Sequence, residues 1–473
     1  MSGQLESVSE LESTGKPDVD SDSVVPASRM GYSVPATPDV EHEAYELTEM
    51  PVLPAGSVTS AISIADPPNL SAADIKKMRR AEYIGFCSLL WSMLMEGWND
   101  GTNGPLLPIV QNHYHIGFTV VSMIFISNCI GFVIGAVANV RMTQKLGFGR
   151  TIVIGAVTQA IAYCIQAAAP PFPAYAVAPL FSGFGIALQN AASMVYVVHL
   201  DHNSSTKMGI LQASYGIGAL VSPLSATKFA SMQHWSFHFL ASLGGSIINV
   251  ISLTLVFRFQ HLDAILRKAG QTVREQSNFQ GNLYGQIFKL KVVHLLALFA
   301  LAYVGAEVTL GGWIVTFVVD ERHGGSSSGY LTSGFFAGLT VGRISLLWFN
   351  KLVGERRVIW LYISLCIALE ITVWLIPSLI GNAIAVAFIG LFLGPVYPIV
   401  MNIAGRLVPH WLMSGAVGWI GGLGQMGSAL LPFITGALSS KFGVMSLQPF
   451  IVSVLCVMLG LWAAVPADIR RSD

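Results

Sequence analysis

The sequence predicts an all-α integral membrane protein whose twelve spans form two six-helix halves, and three observations carry that prediction. The first is composition. Of 473 residues, 53% are hydrophobic and only 11% charged, with a mean hydropathy of +0.61, whereas a soluble globular chain carries roughly 25% charged residues. The second is the recurrence of apolar runs of about 20 residues, long enough to cross a hydrocarbon core of about 30 Å. The third is an ordered series of identities between the two halves of the chain at a nearly constant offset. The net charge of +0 argues against nucleic acid as a partner.

Residues 1–77 read as a disordered cytosolic tail. Ser, Pro and acidic residues dominate it, and its first 75 residues hold 13 of the 26 acidic side chains. Such a segment buries too little apolar surface to order itself. It lacks the apolar core of a signal peptide, so the first span is expected to remain uncleaved. Regulatory phosphates and an inert tail are both open readings.

From Met78 onward, apolar segments are expected at 83–107, 116–140, 151–169, 174–198, 208–230, 236–257, 292–319, 329–349, 358–377, 380–405, 414–438 and 443–466. With the amino terminus inside, cytosolic connections and flanks hold twenty Lys and Arg residues, and outer loops hold three, Lys228, Arg322 and Lys441. That bias places both termini in the cytosol. The longest internal connection separates a first half, 78–258, from a second, 291–473, with a cytosolic linker at 259–290 between them.

A shift of 207 residues lays Asp100 on Glu307, Gly104 on Gly311, Gly131 on Gly338, Gly135 on Gly342, Gly147 on Gly354, Arg150 on Arg357 and Gly183 on Gly390. A shift of 209 lays Gly209 on Gly418, Gly218 on Gly427 and Pro223 on Pro432. Single coincidences mean little, but an ordered series across five spans implies an internal repeat. Two repeated halves are the architecture of carriers that rock around a central site.

Motifs point the same way. The loop "NVRMTQKLGFGRT" after segment two resembles the G-x-x-x-D-R-x-G-R-R loop of the major facilitator superfamily. Gly147 and Arg150 fit it, while Gln144 and Lys145 stand where the Asp-Arg pair would be. The second copy, "WFNKLVGERRV", keeps Gly354, Arg356 and Arg357. These five residues are the candidate gating loops. The first segment, "LLWSMLMEGWNDGTNGPLLPIVQ", is similar to the fucose permease-like branch, with Asn99 and Asp100 as its Asn-Asp pair. "GFGIALQNAASM" resembles that branch's G-x-G-x-x-E-x-A-A, with Gln189 in place of the Glu, and "LQASYGIGALVSP" keeps a Gln at Gln212. The resemblance implies the major facilitator fold and a fungal member of that branch.

Chemistry concentrates where charge interrupts apolar sequence. Glu96 and Asp100 are four residues apart, so they share one helix face. A charge at that depth costs at least about 2.5–3.5 kcal/mol on insertion scales and usually faces a water-filled path. Two carboxylates so close in a low dielectric do not both ionise readily, so at least one is expected to hold a proton near neutral pH. The alternative is a buried carboxyl with no transport role. Trp98, Asn99 and Asn103 offer a stacking face, donors and acceptors suited to polyols, or else interhelical packing. Gln189, Asn190 and Gln212 are further candidates for substrate contact. An amide at 189 cannot titrate, so either Glu96 takes over the branch glutamate's role or the carrier runs without protons. Glu307 and Arg343 lie within segments seven and eight and are expected to pair, either as a structural or as a gating contact.

Several patterns carry no site. "GLGQMG" matches a dinucleotide fingerprint but lies inside a span, where small residues serve helix packing. The five cysteines lack metal-ligand spacing, and no P-loop is present, so neither a metal nor any other cofactor is implied. The chain therefore reads as a carrier and not an enzyme, monomeric in a lipid bilayer, with the plasma membrane favoured over internal membranes. Import of a sugar-like solute with protons is the leading expectation. Efflux of a secondary metabolite and a solute sensor without flux remain alternatives.

Overall fold

The computed structural model describes residues 71–200, 203–271, 283–409 and 412–466. The expectations on the acidic tail to residue 70, on Arg274, and on Arg470 and Arg471 fall outside the described residues. Six long helices fill the first half: α1 Ala72–Tyr114, α2 Phe118–Leu146, α3 Phe148–Ala167, α4 Phe172–Val198, α5 Ser204–Ala230 and α6 Trp235–Phe257. Six more follow: α7 Lys291–Arg322, α8 Ser326–Ser345 continued by Leu347–Val353, α9 Glu355–Leu375, α10 Leu379–Leu407, α11 Met413–Phe442 and α12 Val444–Ala464.

Among the described residues, nine helices are long and apolar enough to cross a membrane, or ten with the two pieces of α8 taken as one span. The remaining two, α1 with 43 residues and α5 with 27, have the length but are too polar to qualify. Their polarity is not random, because these two helices carry most of the candidate site.

Two boundaries differ from expectation. The tail was expected to run to residue 77, but α1 begins at Ala72. The Ser71 hydroxyl accepts from the backbone N–H groups of Ala73 and Asp74 at 3.2 and 3.3 Å, and Asp74 lies in the first turn, where the helix dipole favours a negative charge. The segment expected at 329–349 is not one straight span, since its two helices meet at a bend of 55°.

The repeat reappears as packing. A Cβ added to Gly131 would lie 1.9 Å from the Leu180 carbonyl oxygen, and one on Gly338 would lie 1.9 Å from that of Ala387. A Cβ on Gly183 would lie 2.0 Å from Asn128 O, and one on Gly390 would lie 2.1 Å from Phe335 O. A Cβ on Gly218 would lie 2.0 Å from Leu94 O, and one on Gly427 would lie 2.0 Å from Leu301 O. In the first two pairs both partners are displaced along the chain by 207 residues, and in the third the glycine is displaced by 209 and its partner by 207, so the two halves use the same backbone-to-backbone crossings. Gly427 belongs to the "GLGQMG" run, whose glycine thus serves close helix approach. Gly218→Val would force methyl groups into Leu94 and is expected to cost roughly 1–3 kcal/mol or more. Gly209→Val, with nothing within 4 Å of its Cβ, is expected to be silent. Size-exclusion profiles of the two variants in detergent would separate them, and equal behaviour would refute the packing argument.

The halves meet across the middle of the bundle and at its Tyr114 end. Gly104 faces its own repeat partner, with a Cβ there 2.4 Å from Gly311 O. The Thr119 backbone N–H and hydroxyl both donate to Ser440 Oγ, at 2.9 and 2.8 Å, which joins the start of α2 to the end of α11. At the other end the linker is anchored to both halves. Ile265 and Leu266, from its short helix Leu262–Lys268, are buried with Phe86, Phe148 and Phe257. Ile287 is buried with the second half, beside Gly415, and Phe288 lies edge-on to Trp419.

Candidate functional site

The site begins on α1, where glycines clear room for α5. A Cβ on Gly97 would lie 1.9 Å from Tyr215 O, and one on Gly101 would lie 2.5 Å from Ala219 O. The two glycines are one turn apart, so α5 lies directly against α1 along this stripe. Glu96, Asn99 and Asp100, which flank it, are thereby turned toward the middle of the bundle.

Glu96 is 6% exposed, and its Oε1 accepts from Asn190 Nδ2 on α4 at 2.8 Å. Asp100 Oδ2 accepts from the Tyr215 hydroxyl at 2.9 Å, and its Oδ1 accepts from Asn99 Nδ2 at 3.3 Å. Asn99 Oδ1 in turn accepts from Tyr163 OH on α3 at 3.3 Å. Both carboxyls are therefore held by donors from neighbouring helices. No group of three His, Cys, Asp or Glu among the described residues is placed to hold a metal ion.

From Asp100 the contacts run into the second half. Arg343 of α8 lies over the Tyr215 ring, its Cζ 5.8 Å from the centroid, and its Nη2 is 3.7 Å from Glu307 Oε1 on α7. Arg343 and Glu307 are both largely buried, with side-chain exposures of 15% and 7%. Tyr303, one turn before Glu307 on α7, stacks on Tyr397 at 6.0 Å. Asp100 and Glu307, which the repeat aligns, are thus joined through Tyr215 and Arg343. Beside this line α5 touches α8 closely, with a Cβ on Gly216 coming within 2.5 Å of Thr340 Oγ1.

The other candidates divide. Gln189 has no hydrogen-bonding capacity left for a solute. Its Oε1 accepts from Ser92 Oγ and Asn249 Nδ2, both at 2.7 Å, and its Nε2 donates to Gln159 Oε1 at 2.9 Å and Gly185 O at 3.1 Å. An amide supplies both donors and acceptors there, which an ionised carboxylate cannot. Trp98 is also committed on one side. Its indole N–H donates to Ser242 Oγ at 2.8 Å, and its ring is stacked on His238 at 5.5 Å. Asn103 and Gln212 are half-buried.

The candidate loops are built differently in the two halves. Gly147 and Gly354 both adopt the left-handed backbone, with φ of 85° and 92°, at equivalent helix junctions. Gly147 packs against the His261 ring, the Gly149 N–H donates to Gln260 O at 2.9 Å, and Arg150 is exposed. Arg356 donates to the carbonyls of Val465 and Pro466 at the end of α12. Arg357 is exposed beside it, and the neighbouring Glu355 pairs with Arg406.

Sequence reasoning missed Tyr215, Tyr163, Gln159, Asn249 and His238. Gln159 and Tyr163 had a visible signal, being polar residues one turn apart in an apolar span. Tyr215 had none beyond its place within "LQASYGIGALVSP".

Repeated helical halves, a charged line where they meet and glycine-lined crossings define a polytopic membrane carrier. The chain belongs to the Major Facilitator Superfamily, whose family match covers residues 89–432. It is 26% identical to Bypass of stop codon protein 6 of Saccharomyces cerevisiae over 80% of this chain and 81% of that protein. It is 23% identical to a glucose/galactose transporter of Brucella abortus over 78% of this chain and 90% of that one. Its fold is similar to that of a D-xylose-proton symporter, with a TM-score of 0.65 at 12% identity, covering 81% of this chain and 98% of the other.

Proposed function

We propose that the chain is a monomeric secondary carrier that brings a small sugar-like solute across the plasma membrane together with protons, with both termini in the cytosol. The observation that carries this reading is the line from Asp100 through Tyr215 and Arg343 to Glu307, which joins carboxylates of both halves. Intramembrane carboxyls linked in this way across the meeting of the halves are placed to exchange a proton as the halves rock. Asn190, Asn99, Asn103, Gln212 and one face of Trp98 supply the amide and aromatic groups that suit a polyol. Relatives named for glucose, galactose and xylose support the solute class. Gln189 serves as a packing node, leaving Glu96 and Asp100 as the titratable pair of the first half.

The test is uptake by proteoliposomes offered labelled D-glucose, D-galactose, D-mannose and D-xylose under an imposed pH gradient, acidic outside. Accumulation of at least one sugar above its outside concentration, abolished by a protonophore, is expected. Sugar flux indifferent to the gradient would leave a facilitator, and the proton-coupled reading would fall.

A further inference from the structure

We infer that Tyr215 is the coupling residue of this carrier, transmitting the protonation state of Asp100 to the contact between the halves. The inference rests on the proton-coupled reading above and adds the element that links proton to motion.

Tyr215 is held on three sides. Its backbone carbonyl lies where a side chain at Gly97 would be, which fixes it against α1 between Glu96 and Trp98. Its hydroxyl donates to Asp100 Oδ2 at 2.9 Å. Its ring lies under the Arg343 guanidinium of the other half, and the next residue, Gly216, is pressed against Thr340. A side chain so placed touches the proton carrier with one atom and the opposing half with its face.

The chemistry of the hydroxyl makes this contact conditional. Toward a carboxylate, a tyrosine hydroxyl can only donate, and toward a protonated carboxyl it can also accept. With Asp100 charged, the donated hydrogen bond fixes the ring, and the negative charge behind it draws Arg343 onto the ring face. With Asp100 protonated, that attraction is gone and the hydroxyl hydrogen is released. Arg343 then has Glu307 alone as its anionic partner, and the α5–α8 contact loosens. The charged and titratable groups facing this point are Glu96 from α1, Tyr163 from α3, Tyr303 and Glu307 from α7, and Arg343 from α8. Glu96 shares helix α1 with Asp100, and Glu307 is already paired, so neither supplies the same link between halves.

The experiment needs no transported solute. Spin labels at Val198→Cys and Leu352→Cys, both exposed and on opposite halves, report the separation of α4 and α8 in a full-length protein whose five native cysteines are replaced. In the parent, a step from mildly alkaline to mildly acidic pH is expected to redistribute two distance populations. Tyr215→Phe removes one oxygen and keeps the ring over which Arg343 lies. A hydrogen bond to a charged group commonly moves an equilibrium by roughly tenfold or more, so the pH-driven redistribution is expected to shrink by about that factor. Tyr215→Leu also removes the ring, and it is expected to favour the separated population at either pH. A Tyr215→Phe protein that redistributes as the parent does would overturn the inference while leaving proton coupling intact. A parent whose distances ignore pH would instead overturn the proton-coupled reading, and this inference with it.

Discussion

Replacing Asp100 with Asn is expected to abolish accumulation of solute against a gradient while sparing exchange. Asparagine keeps the size of aspartate, and its Oδ1 can still accept the Tyr215 hydroxyl now bound at 2.9 Å. What it loses is the ability to take up and release a proton. A gradient of about one pH unit is worth about 1.4 kcal/mol per proton, so a carrier moving one proton per solute can accumulate it up to about tenfold. In Asp100→Asn that ratio is expected to fall to about one, whatever gradient is imposed. Exchange of labelled for unlabelled solute need not discharge the site and is expected to stay within a few-fold of the parent. Glu96→Gln is the milder change, since a glutamine oxygen can still accept from Asn190, and a flux with a shallower pH dependence is expected. If Asp100→Asn accumulates solute as the parent does, Asp100 only binds solute or supports the helix, and the proton pathway lies elsewhere.

The reason Asp100 could be found from sequence is energetic. A carboxylate inside an apolar run must have a cause, because its cost in lipid is several kcal/mol. The same reasoning picks out Glu307 and Arg343, whose charges lie in segments seven and eight, and the repeat offset tells which carboxylates correspond. Tyr215 offers no such signal. A tyrosine in a span is cheap, and sequence does not say which of its neighbours α5 turns toward α8. Gln189 shows a different limit. Its departure from the branch's glutamate is plain, yet the meaning of the amide depends on four partners from four stretches of chain, Ser92, Gln159, Gly185 and Asn249. The break in α8 is equally hidden, since "GRISLLWFN" contains neither Pro nor Gly at Leu346, where the direction changes. The family match is at the level of the superfamily. The placement among fucose permease-like carriers rests on Asn99, Asp100 and the segment-four and segment-five residues alone.

Arg343→Gln is expected to be the most destabilising single change in the second half. It would leave Glu307, only 7% exposed at its side chain, without the cation 3.7 Å away. Breaking a buried pair by deleting one partner typically costs about 3–5 kcal/mol, because the remaining charge is uncompensated. Removing both partners is a different experiment. In Arg343→Gln with Glu307→Gln, two neutral amides can hydrogen-bond to each other, so most of the lost stability is expected to return. Thermal unfolding midpoints of the parent, the two single variants and the double variant measure this coupling directly. If the double variant were no more stable than Arg343→Gln, Glu307 would not be the anion that Arg343 serves. The cation would then belong mainly to Asp100 across the Tyr215 ring. If stability does return, transport by the double variant separates the two remaining roles of the pair. A stable protein that exchanges and accumulates solute as the parent does would make Arg343–Glu307 a structural pair. A stable protein that exchanges solute but no longer accumulates it would make the pair part of the coupling, because neutral amides at both positions fold the bundle yet cannot respond to the charge on Asp100.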